Sequence, residues 1–64
     1  MNLKYYREKK NMTQDELAVI ADVSRQTISK IENNEESTIS NITMKKLANA
    51  LNVTVDKLFF KTLV

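Results

Sequence analysis

The chain has 64 residues, room for one domain with a small core. It has no cysteine and no histidine, which removes disulfides, thiolate metal sites and the commonest catalytic base. Hydrophobic residues make up 42%, as in a globular chain. Ten basic residues against eight acidic ones leave only +2, so the placement of charge, not its sum, must say whether the partner is nucleic acid.

Glycine and proline are absent too, so the usual turn markers are missing. Asparagine and aspartate are the next residues to tolerate the left-handed conformation that ends a helix. The first helix is expected over residues 3–10, with Leu3 and Tyr6 facing inward and Arg7 on the same side. Asn11-Met12-Thr13 then reads as a left-handed stop, an apolar residue and an N-cap. Thr13 to Glu16 is a capping box, and Met12 pairs with Leu17 as a hydrophobic staple. The second helix covers residues 14–21, with Leu17, Ala18 and Ala21 at helical spacing.

Asp22-Val23-Ser24 repeats the pattern, and Val23 finds its staple partner in Ile28. The third helix covers residues 25–33, with Asn34 as its left-handed stop. A loop over residues 35–39 follows. The fourth helix covers residues 41–51, capped by Ser40 or Asn41, with Met44, Leu47, Ala48 and Leu51 as its apolar stripe. Asn52-Val53-Thr54 is the third such string, with Leu58 as the staple partner, and a fifth helix covers residues 55–60. No segment alternates like a strand. The expected fold is all-α: one compact five-helix domain over residues 1–64, with a tail over residues 60–64.

The second and third helices are joined by three residues, the spacing of a helix-turn-helix, here about residues 14–33. An ordinary helical hairpin has the same spacing, so the third helix must decide. Ile28 and Ile31 mark its inward face; Arg25, Gln26, Ser29 and Lys30 lie opposite, with Thr27 at the edge and no acid among them. Arg pairs bidentately with guanine and Gln with adenine in the major groove, and a recognition helix places such residues near its N-terminus. Glu32 follows Ile28 and Ile31 on the inward face, as Arg7 follows Leu3 and Tyr6. A lone buried charge is costly, so Arg7 and Glu32 are expected to meet as a structural ion pair.

These motifs carry a resemblance. Leu3-x-x-Tyr6-Arg7-Glu8, Met12-Thr13-Gln14-x-Glu16-Leu17-Ala18, Val23-Ser24-Arg25-x-Thr27-Ile28-Ser29-x-Ile31-Glu32-Asn33 and Leu47-Ala48-x-Ala50-Leu51-x-Val53 resemble the lambda-repressor/Cro-like (XRE) family of helix-turn-helix regulators. The resemblance implies a lambda-repressor-like five-helix fold, a homodimer and double-stranded operator DNA as partner. It places Arg25, Gln26 and Lys30 at base-reading positions, to which we add Ser29 on the same face as a fourth base-reading residue. It places Gln14, Thr27 and Asn33 at backbone positions, to which we add the adjoining Asn34. It also implies an ion pair at Arg7 and Glu32. Three departures stand out. Asn11, Asp22, Asn34 and Asn52 stand where the family often has glycine. Glu35-Glu36 stand where its loop is often basic. The stretch from Glu32 to Leu47 is about one residue longer than the common pattern.

The expected function is therefore a sequence-specific transcriptional regulator, a repressor that binds a palindromic operator as a dimer. The dimer interface is expected at the fifth helix and tail, through Phe60, Leu63 and Val64. The alternative is an antitoxin-like or protein-contact module that regulates its own operon, which the apolar tail allows. An RNA-binding module is disfavoured because the reading face has no exposed aromatic for base stacking. No catalytic residue, cofactor, metal or small-molecule ligand is expected. The serines have no activating partner, and Asp15-Glu16 and Glu35-Glu36 are neighbours, not facing carboxylates. No apolar run nears the roughly 18 residues of a bilayer span. Residues 1–10 are charged where a signal peptide is apolar, so a cytoplasmic location is expected.

Overall fold

A computed structural model of the chain describes residues 2–33 and 39–59. The fold is all-α, built of α1 (Leu3–Lys9), α2 (Gln14–Ala21), α3 (Arg25–Glu32), α4 (Asn41–Leu51) and α5 (Val55–Phe59). Among the described residues there is no strand, and no helix is long and apolar enough to cross a membrane.

The turns form as the composition requires. Asn11, Asp22 and Asn52 sit at φ of 59°, 59° and 58°, the left-handed region that asparagine and aspartate enter at low cost. At each, the same double bond closes the helix. Asn11 N–H donates to Glu8 O at 2.9 Å and Met12 N–H to Arg7 O at 3.1 Å. Asp22 with Val23, and Asn52 with Val53, repeat that pattern onto Val19 and Ala18, and onto Asn49 and Ala48. This is the Schellman arrangement, which satisfies carbonyls the helix end would otherwise strand. Met12, Val23 and Val53 then turn inward and pack against the core containing Leu17, Ile28 and Leu58. Each apolar residue thus closes one helix through its N–H and sits where a hydrophobic staple to the next is expected.

The N-termini are capped by side chains. The Thr13 hydroxyl accepts from Glu16 N–H at 3.0 Å, and the Glu16 carboxylate accepts from Thr13 N–H at 2.8 Å, a complete capping box. Ser24 accepts from Thr27 N–H, Ser40 from Thr43 N–H and Thr54 from Lys57 N–H. Ser40, not Asn41, is therefore the cap of α4. Two ends differ by a residue from the sequence expectation: α1 stops at Lys9, and α3 at Glu32. Asn33 is the cap of α3, at φ −91° and ψ 5°. The expected stop at Asn34, the Glu35-Glu36 stretch and the expected end of the fifth helix at Phe60 lie outside the described residues.

The core gathers Leu3, Leu17, Ala21, Ile28, Ile31, Leu47, Ala48, Leu51, Leu58 and Phe59, so every helix contributes to it. α2 packs on both α3 and α4, α4 on α5, and α1 on α3 and α5. Two polar ties position the helices further. Asn2 donates its N–H to Leu58 O and its side-chain amide to Lys57 O, each at 3.0 Å, joining the start of α1 to the end of α5. Lys46 of α4 reaches the turn between α2 and α3, with Nζ 3.3 Å from Asp22 O and 3.4 Å from Asp22 Oδ2.

Candidate nucleic-acid interface

α3 is held by its inner face and presents its outer one. Ile28 and Ile31 are fully buried, while Arg25, Gln26 and Lys30 are exposed and Thr27 and Ser29 half-buried. The single acid of α3, Glu32, is turned inward, its side chain only 4% exposed. Arg7 meets it from α1 in a bidentate pair, Nε donating to Oε2 at 2.6 Å and Nη2 to Oε1 at 3.1 Å. Arg7 Nη1 donates to Met12 O at 2.7 Å, so one guanidinium ties α1, the loop before α2, and α3 together. Gln14, at the first position of α2, adds a bond from its amide nitrogen to Glu32 Oε1 at 2.9 Å.

The carboxylate is pulled in two directions. Burial pushes the Glu32 carboxyl up; the hydrogen bonds from Arg7 and Gln14, with the charges of Arg7 and Lys4, outweigh it and hold the group below its usual value. The Arg7 guanidinium is held above its usual value, chiefly by the hydrogen bond to Glu32. Both groups are therefore charged near neutral pH, and the charge of Glu32 is spent inside the fold. A carboxylate on the outer face of α3 would repel phosphate; this one cannot.

Helices leave their first N–H groups without an intrahelical acceptor, and each N-terminus carries a partial positive charge. Thr13 and Ser24 each satisfy one such group in α2 and α3. The side chains and N–H groups at these two helix starts are suited to phosphate and base edges. Helices α2 and α3 pack on each other and are joined by a three-residue turn, an arrangement consistent with a helix-turn-helix.

The helix-turn-helix family pattern matches residues 3–58, from the first residue of α1 to the core residue Leu58 of α5. The chain belongs to the lambda-repressor/Cro-like helix-turn-helix family. Members of this family are DNA-binding transcription regulators, and this chain is a DNA-binding transcription regulator of that kind. No curated protein sequence matches it.

Within this family frame, Arg25, Gln26, Lys30 and Ser29 share one helix and lie opposite its buried face. Thr27 Oγ1 lies 2.8 Å from the Ser24 hydroxyl, so its side chain is engaged in the cap. Asn33 is exposed at the other end of α3. Asn34, and the tail residues Phe60, Leu63 and Val64 named for a dimer, lie outside the described residues.

Three contacts of the α2–α3 unit, among others, had no signal in the sequence: Gln14 to Glu32, Lys46 to Asp22, and an ion pair between Arg25 Nε and Asp15 Oδ1 at 3.4 Å. Each joins two elements, and rules of local spacing do not reach across helices.

Proposed function

We propose that this regulator is a repressor that binds a palindromic double-stranded operator as a homodimer, with residues 1–64 acting as one domain. In this reading α3 enters the major groove, where Arg25, Gln26, Lys30 and Ser29 meet base edges. Gln14, Thr27, Asn33 and Asn34 meet the sugar-phosphate backbone. The carrying observation is the sorting of charge on α3, with its cations and amide outward and its one carboxylate buried against Arg7 and Gln14. The Gln14 amide nitrogen bears two hydrogens. One is given to Glu32, which leaves the other for a phosphate oxygen.

A single half-site offers few base contacts, and the ten buried apolar residues among the described ones make a small core. A symmetric dimer through α5 and the tail answers both, and an operator with two-fold symmetry follows from it. The test is selection of bound duplexes from a random library, with sedimentation of the free protein and of its complex. The reading expects an approximate palindrome with half-sites roughly 10 bp apart and a dimer on DNA. Enrichment of no common sequence, or a monomer both free and bound, contradicts it.

A further inference from the structure

The reading face is free of acids in the sequence of α3, yet one acid reaches it from the neighbouring helix. Asp15 is the second residue of α2, and its Oδ1 lies 3.4 Å from Nε of Arg25, the first residue of α3. The side chains are 73% and 64% exposed, so packing does not force them together, and an exposed pair contributes little to stability. A carboxylate here is a liability for a protein that must approach phosphates.

The atom it touches gives it a use. Nε is the inner nitrogen of the guanidinium. The two Nη groups form the outer edge, the edge that can donate to O6 and N7 of guanine. We propose that Asp15 is a positioning residue for Arg25, a proposal that rests on α3 being the recognition helix. By pairing with Nε it aims the outer edge at a base. By offsetting the charge it also stops Arg25 from serving as a general phosphate anchor. Arg25 then adds affinity chiefly where a guanine supplies both acceptors, which converts an unspecific cation into a sequence reader.

The experiment compares wild type, Asp15→Asn, Arg25→Ala and the double variant by fluorescence anisotropy. The probes are the selected operator, its single-base variants and an unrelated duplex, over a range of salt. Asp15→Asn is expected to lower discrimination at the base pair relaxed by Arg25→Ala, by about two- to fivefold, the reach of an exposed ion pair. Binding to the unrelated duplex should tighten, and its salt slope steepen by up to about one unit as the Arg25 charge becomes available to phosphate. In the Arg25→Ala background the loss of discrimination should vanish. Thermal melting separates any structural effect of Asp15 in the first turn of α2, which would not alter base preference. Unchanged or increased discrimination in Asp15→Asn overturns the proposal while leaving α3 as the reader. If Arg25→Ala relaxes no base pair, the reading of α3 falls and this proposal with it.

Discussion

Removing Arg7 tests the network that holds α3 in place. The two side chains are 10% and 4% exposed, and the pair is bidentate. Arg7→Met strands a buried carboxylate with Gln14 as its remaining hydrogen-bond donor among those it now has. Breaking a buried pair from one side costs about 3–5 kcal/mol. The lower figure applies here, because part of Arg7 stays open to water. A chain of this length has a total stability of roughly 3–10 kcal/mol, so the single substitution consumes much of it. With an m-value near 1 kcal/mol/M, the urea midpoint should fall by about 3 M.

The pH dependence gives a sharper signature. In the native pair the Glu32 pKa lies below its unfolded value of 4.5. The stability it contributes is thus complete above about pH 4.5 and is lost as pH falls through the lower, folded value. In Arg7→Met the chief opposing influence is gone, and burial, the largest cause acting on Glu32, is expected to outweigh the remaining Gln14 hydrogen bond and Lys4 charge and to push the pKa above the unfolded value. The penalty is then present at neutral pH and relieved as pH falls through that raised value. Relative to wild type, Arg7→Met should recover stability toward pH 4–5, whereas Glu32→Leu, which strands Arg7, should not. Arg7→Met with Glu32→Leu should recover much of the loss at neutral pH. Urea titrations at pH 7 and pH 4.5 read all of this. Wild-type midpoints for both single variants, or an equal deficit of Arg7→Met at both pH values, would refute the reasoning.

Two further outcomes are expected. Asn52→Ala should cost about 1 kcal/mol, because alanine resists φ near 58°, whereas Asn52→Gly should be neutral or stabilising; thermal melting distinguishes them. Gln14→Ala should weaken binding on every duplex alike with little change in salt slope, since Gln14 is neutral. It should also lower stability by about 1 kcal/mol through the lost bond to Glu32, measured by anisotropy and by urea titration.

The helix order was legible because its punctuation is local. Asn11, Asp22 and Asn52 mark stops that glycine would otherwise mark, and the apolar residue after each is read twice, as the end of one helix and the staple of the next. Arg7 and Glu32 were legible for a different reason: each is a charge at an apolar helical position, and two such misfits accommodate one another. What was not legible is what crosses between helices without any misfit. Gln14, Asp15 and Lys46 are ordinary surface residues by spacing, and only the packing of α2 on α3 and α4 brings them to Glu32, Arg25 and Asp22. The end of α3 was misplaced by one residue because Asn33 is compatible with either a last helical turn or a cap.

The most direct test of α3 as the reading helix is the binding of Arg25→Ala to a selected operator and to its single-base variants. Arg25 is exposed at the first position of α3, where a bidentate pair to guanine is worth about 1–3 kcal/mol of discrimination. The expected result is a loss of that size on the operator and a relaxed preference at one position in each half-site, with other positions still discriminated. If Arg25→Ala instead weakens every variant equally, Arg25 does not read a base and the docking of α3 in the major groove is wrong.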